Sequence, residues 1–399
     1  MPGRAWVAVL EQWVAAWSAV AALFCMLSAP LRADVASDQA AAILVFPKIL
    51  VDATFPPRTV RGPVDTLIRL SNTSAQPVTI KCFYVNANGH CSNSPSTVCT
   101  PGLIDSDSPC GPAGFCVPGW IESDFTVNIT ARQPIAWLAS EGAVACEESP
   151  PGLPCLPLNA SGFPSPNTNG GSRIPPVSED PFIGELKCVV VDRNDVPLDR
   201  NDIKGEAEII RSAPGTLDVL AYNAVGIPAI AGAGNRDNVL VLGGPEAEYS
   251  SCPNVLILDH FFDGAEDPVS GDLVHTDLTL VPCTQDFLNQ LPVTTPVQFL
   301  VFNEFEQRFS TSRRVTCFDE VRISRIDNTS SPDRSIFSAA VAGTLTGQTR
   351  IRGVPNPEDV TQGHALLGLA EEFRSGGGGA AFNLHFHGTR QQSDFIYLP

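Results

Sequence analysis

Lysine, tyrosine and methionine are scarce in this chain, at 4, 4 and 2 of 399 residues. Basic residues number 25 against 43 acidic ones, for a formal charge of −18. A surface of that sign repels nucleic acid and anionic lipid, so neither is an expected partner. No apolar run reaches the ~20 residues that cross a bilayer as a helix, which argues against stable membrane insertion. Amphipathic helical patterning is nearly missing after residue 33, which excludes helical bundles and parallel α/β architectures. No C-x-x-C pair is present, so a zinc ribbon has no way to set two thiolates on one face of a metal. Nor is there a G-x-S-x-G elbow, S-x-x-K, Asp-Thr-Gly, Asp-Ser-Gly, H-E-x-x-H or P-loop. Adjacent acids such as Glu147-Glu148, Asp319-Glu320 and Glu371-Glu372 read as a solvated face of an acidic protein. The expectation leans away from an enzyme, and no cofactor is expected beyond a candidate calcium, copper or zinc ion.

Cysteine, by contrast, is plentiful, with 12 residues, and Cys82, Cys91, Cys99, Cys110 and Cys116 fall in or beside one stretch rich in Pro, Gly and Ser. Such a segment has neither a core nor a staple unless its thiols are oxidised, which points to a secreted or periplasmic location. The N-terminus agrees: Arg4, an uncharged apolar run over 13–27, and small residues up to Ala33 read as a signal peptide over 1–33, cut after Ala33. Cleavage removes Cys25 and leaves an odd number of cysteines, so at least one thiol is free or paired with another molecule. The spacing Cys91-x7-Cys99-x10-Cys110-x5-Cys116 suits a stapled loop whose four sulfurs have three possible pairings. Cys146 and Cys155 flank a proline turn and suit a local bridge. The odd thiol is expected among Cys82, Cys188, Cys252, Cys283 and Cys317, which sit on or beside strands.

Short apolar or alternating runs dominate the rest, at 43–46, 66–70, 78–85, 125–130, 186–191, 208–211, 217–222, 255–258, 297–302 and 382–386. Each is rich in Val, Ile, Phe or Thr and fenced by Pro, Gly, Asn or Asp. The run at 363–373 suits a strand or a helical turn equally. The pattern is all-β: two antiparallel β-sandwich units, Ig-like or jelly-roll-like, with a disulfide-rich insertion at 91–116 and long irregular loops such as 147–181. Segments 65–86 and 277–303 echo each other: a strand beginning at Asp, a polar hairpin, Pro-Val, an alternating strand and a closing Asn. They suggest a first sandwich over 34–215 and a second over 216–399, with one interwoven sandwich as the alternative.

Three constellations are candidates for binding. Asp192-Arg193-Asn194-Asp195 and Asp199-Arg200-Asn201-Asp202 crowd oxygens into one loop. Asp192, Asn194, Asp195, Asp199, Asn201 and Asp202 are therefore candidate calcium ligands, although the EF-hand spacing fails and Asx turns explain the same letters. A second acidic loop offers Asp263, Glu266, Asp267 and Asp272. In His385-Phe386-His387-Gly388, alternation puts both imidazoles on one strand face, where a copper or zinc ion is conceivable. That segment resembles the His-x-His-Gly of multicopper oxidases over four residues only. The further histidine pairs and His-Cys-His element of those enzymes are missing, which rules membership out. Exposed Trp120 or Trp137 would suit a glycan, and the sequons at Asn72, Asn128, Asn159 and Asn328 mark surface positions.

The segments Phe46-Pro47-Lys48-Ile49-Leu50-Val51-Asp52, 65–86 and Phe302-Asn303-Glu304-Phe305-Glu306 look like parts of large uncharacterised exported bacterial proteins, and the 91–116 loop is similar to short disulfide loops in bacterial secretomes. This resemblance implies an exported β-rich protein and transfers no catalytic residue. The expected function is structural or interactive, with loops on β-sandwich domains engaging a protein or glycan partner. A calcium-dependent carbohydrate-binding module or glycan-active enzyme is the alternative, and a copper or zinc protein centred on His385 and His387 a weaker one.

Overall fold

Two kinds of hydrophobic pattern build two kinds of strand. In a computed structural model the residues described are 35–53, 63–99, 108–117, 119, 121–145, 167–168, 172–213, 216–327, 329, 331–355 and 363–399. The signal peptide expected over 1–33, Cys146, Cys155, Trp120, Asn159, Asn328 and most of 147–181 lie outside them.

In chain order the first strands are β1 (Ile43–Val51), β2 (Val64–Asn72), β3 (Val78–Asn86), β4 (Gly89–Cys91), β5 (Ser94–Cys99), β6 (Cys116–Val117) and β7 (Ile121–Ile129). There follow β8 (Pro134–Leu138), β9 (Val144–Ala145), β10 (Asn167–Thr168), β11 (Phe182–Val191), β12 (Ile203–Ala213), β13 (Thr216–Asn223) and β14 (Val225–Ile227). Next come β15 (Val239–Leu242), β16 (Pro253–Phe261), β17 (Val274–Pro282), β18 (Gln285–Asp286), β19 (Thr294–Asn303) and β20 (Arg308–Thr316). The last are β21 (Asp319–Arg322), β22 (Thr346–Gly353), β23 (Leu366–Arg374), β24 (Gly379–Asn383), β25 (His385–Thr389) and β26 (Asp394–Tyr397). Among the described residues, α-helix is confined to Ala339–Ala342, beside a few 3-10 turns. The chain is all-β, with several antiparallel sheets and disulfides.

Strict alternation makes β2 half-buried: Val64, Thr66, Ile68 and Leu70 point inward and the residues between them only partly so. The runs ILVFPKILV and FIGELKCVVV, apolar on both faces except for Lys48, Glu185 and Lys187, leave no solvent face, and every residue of β1 and β11 is buried. The sheet β14-β1-β11-β3-β7 is accordingly a middle layer. One of its faces, carrying Leu44, Phe46, Ile80 and Leu186, shares a core with the sheet β13-β12-β2-β8. The other, carrying Ile43, Val45, Phe83 and Val189, packs with Leu240 and Ile396 of β15-β26-β18 and with Val281 and Leu367 of β17 and β23. A third core lies between β20-β19-β22-β16-β25 and β21-β17-β23-β24, around Leu256, Leu278, Phe299 and Phe337. Residues Asp34–Pro399 form one compact unit, in which Leu369 joins the first core and Leu367 the second.

Two details differ from the expected layout. Segments 65–86 and 277–303 are not hairpins. Strands β2 and β3 belong to different sheets, as do β17 and β19, so each connection passes from a four-stranded to a five-stranded sheet. The run at 382–386 is not one strand: buried Leu384, whose N–H reaches Gly368 O, separates β24 from β25. Residues 366–374 form the strand β23, and Gly377 (φ 97°) and Gly378 (φ 82°) turn it into β24 with a backbone that favours glycine. Beyond residue 215, β13 and β14 still pair with β12 and β1.

Candidate functional site

The cysteine insertion folds as its own small sheet, β5-β4-β6. Cys91 bonds Cys110 and Cys99 bonds Cys116, and three of the four pack together in a core of their own. The staple is latched to the body from a distance. Glu179 accepts from Asn86 Nδ2 (2.5 Å) and Asn88 Nδ2 (2.7 Å) and lies 3.1 Å from His90 Nε2. Partial burial would raise the Glu179 carboxyl, but these bonds outweigh it and hold the pKa below the usual range. At the loop's outer side Phe115 is 60% and Val117 42% exposed, on backbone fixed by Ser92 N–H to Phe115 O (2.9 Å).

Elsewhere Cys82 bonds Cys188 across β3 and β11, and Cys252 bonds Cys283. Cys317 is the free cysteine among the described residues, and burial pushes its thiol up to about 12.

The six oxygen-bearing residues at 192–202 serve turns and ion pairs. Asp192 Oδ1 accepts from the N–H groups of Asn194 (2.7 Å) and Val196 (3.1 Å), an Asx turn. Asp195 pairs with Lys81 at 3.5 Å and Asp202 with Arg200 at 2.6 Å. Asp199 accepts from Gly232 N–H (2.7 Å) and Asn201 from Ala229 N–H (2.7 Å). In the second acidic loop, Asp263 takes the N–H groups of Thr276 and Ser324, while Asp267 takes Val269, Ser270 and the Arg374 guanidinium. His385 and His387 are exposed on edge strand β25, opposite Ile257 and Val255. Among the described residues no His, Cys, Asp or Glu completes a group of three with them. Trp137 is fully buried, donating to Tyr84 Oη at 2.7 Å, and so presents no face to a glycan. Asn72 is buried too, its amide spent on Gln76 O and Thr130 O, so that sequon is not a surface position.

A groove of about 580 Å³ runs between β12–β13 and β24–β25, lined in part by Asp38, Glu206, Glu208 and His385. Arg69 pairs with Glu206 (2.9 Å) and Glu208 (2.5 Å).

The densest polar chemistry lies inside, around two lysines. Pro47 and Lys48 form a bulge in β1, where pairing with β11 slips between Phe46 and Ile49. Fully buried Lys48 contacts Glu371 directly and Glu320 at 3.1 Å. Arg211 holds the other Glu371 oxygen at 3.1 Å and lies 4.6 Å above the Phe373 ring, and Arg322 pairs with Asp277 at 3.4 Å. Carboxylate oxygens of Asp277, Glu320 and Glu371 lie within 4.8 Å of one another, a spacing that would also suit a metal ion. Lys48, Arg211 and Arg322 already supply the positive charge there, so the arrangement is an ion network.

The second nest is different. Lys187, on β11, is fully buried and contacts Gln285 Oε1 directly, Pro282 O at 3.0 Å and Glu185 Oε1 at 3.1 Å. Glu185 and Gln285 are themselves fully buried, and among the described residues Glu185 Oε2 and Gln285 Nε2 have no hydrogen-bond partner. Burial pushes the Glu185 carboxyl up and the Lys187 ammonium down, against their mutual attraction. Sequence reasoning missed both nests. Their signal is a lysine inside a strand run that has no polar face.

Among the described residues no helix is long and apolar enough to cross a membrane. No family model matches the chain, and no curated protein matches it.

Proposed function

We propose that this chain is an exported, non-enzymatic interaction protein built from two β-sandwich units, with the stapled loop as its contact surface for a protein or glycan partner. Several disulfides support an extracytoplasmic location. The cores between paired four- and five-stranded sheets support the sandwich description. The observation that carries the reading is the exposure of Phe115 and Val117 on a loop held rigid by two disulfides and the Glu179 latch. Rigid apolar side chains in water lose little entropy on docking and recover their hydration cost there.

A photo-crosslinking residue at position 115, on the intact producing cell, is expected to give a discrete adduct that the same probe at Ser312, on edge strand β20, does not. Identical adduct patterns from both positions, or none from either, would overturn the reading.

A further inference from the structure

The Lys187 nest has the composition of a reaction centre for amide exchange. An amine, a primary carboxamide and a carboxylic acid meet with water excluded, and each is fully buried. Phe83, the register partner of Lys187, stacks on Phe287 with ring centroids 4.0 Å apart, and Phe287 lies two residues beyond Gln285. That stack fixes the glutamine's backbone beside the lysine and walls the nest with aromatic carbon. As an inert core the arrangement is poor, since one acid oxygen and the amide nitrogen are buried without partners among the described residues. As a reactant pair it makes sense, because those two atoms are the ones an amide exchange uses.

We propose that Lys187 and Gln285 join in an intramolecular ε-amide crosslink, formed by the protein itself with Glu185 as the acid–base group. The reaction begins with Lys187 and Glu185 in their neutral forms, which burial favours for both. The Nζ lone pair attacks Gln285 Cδ while the Glu185 carboxylic acid protonates the carbonyl oxygen. The Glu185 carboxylate then takes a proton from Nζ and delivers it to Nε2. The Cδ–Nε2 bond breaks, the carbonyl re-forms with return of its proton, and one ammonia leaves. One C–N bond is made and one broken, with no change in oxidation state and no outside reagent. The product removes the unpartnered Nε2 and replaces a buried amine with a neutral amide. It also ties β11 to β18, 98 residues apart, by a bond that neither reductant nor denaturant opens.

The test is the intact mass of the exported full-length protein, reduced and denatured, set against the mass calculated from its sequenced N-terminus. The expected mass is short by one ammonia, and digestion yields a branched peptide joining the segments that contain Lys187 and Gln285. Glu185→Gln, close in shape to the native side chain, is expected to retain the ammonia and give two linear peptides. A wild-type protein of full mass with no branched peptide overturns the crosslink, whether or not any variant folds. An E185Q protein crosslinked to the wild-type extent overturns the role of Glu185.

Discussion

Two buried lysines, one on β1 and one on β11, face the same physical problem and meet it in opposite ways. Neither strand has a wet side, so each ammonium needs a partner from elsewhere in the chain. Lys48 is given two carboxylates, and Arg211 and Arg322 complete a network in which charge is balanced by charge. Lys187 is given one carboxyl and an amide, and burial drives both ionisable members toward neutrality. Electrostatics is retained in the first nest and replaced by covalent chemistry in the second. Both link early strands to late ones, with partners 323 and 98 residues away.

The largest expected effect comes from blocking the second nest. Closing a loop of 98 residues restricts the unfolded chain by about 4–5 kcal/mol on the chain-entropy account. Glu185→Gln, which blocks the reaction with little change in volume, is therefore expected to lower stability to urea by that amount. An E185Q midpoint equal to wild type would erase the distinction between the nests. Lys48→Met is expected to cost about 3–5 kcal/mol, because it removes the buried ammonium that Glu371 and Glu320 share and leaves Arg211 to balance Glu371. The double change Lys48→Met with Glu371→Leu should recover much of the loss in the same urea titration, whereas no second substitution at residue 185 restores a Lys187→Met protein. Recovery in both nests, or in neither, would break the comparison.

A third buried ionisable group sharpens it. His260 is bound by neutral partners, Thr349 Oγ1 at 2.8 Å and Phe261 O at 2.9 Å, and burial lowers its pKa to about 4. The unfolded chain takes up a proton below its ordinary value near 6.5, while the folded protein does so only near 4. Stability is thus lost as pH falls through that window, by about 3 kcal/mol at the low end, and His260→Gln should flatten the slope. Thermal melts from pH 7 to 4 on both proteins check this, and equal slopes would count against it. The smallest effect belongs to the surface: Val117→Ser should move stability by no more than about 0.5 kcal/mol while removing the adduct formed by the photo-crosslinking residue at position 115.

How far the sequence speaks depends on the range of the interaction. The alternation of β2 and β19 and the apolar runs of β1 and β11 show as strands, because side-chain period is local. That β1 and β11 lie in a middle layer depends on which sheets cover them, and no local pattern carries that. The cysteine loop is visible as a staple, yet its sulfurs allow three pairings and the fold uses Cys91–Cys110 with Cys99–Cys116. Trp137 misleads, since aromatic character alone does not separate a binding face from a core, and its indole N–H is satisfied inside by Tyr84. The acidic letters at 192–202 suit calcium and Asx turns alike until the N–H donors of Asn194, Val196 and Gly232 are in place. Lys48 and Lys187 stand out only once each strand is recognised as having no exposed side.

The contrast between the two nests can be read directly from amine chemistry. The full-length protein, reduced and fully denatured, is treated with an amine-acylating reagent and mapped by peptide mass. The account predicts that Lys48, Lys81 and Lys204 take the label and that Lys187 does not, because its nitrogen is already an amide. Labelling of Lys187 to the same extent as Lys48 would contradict it.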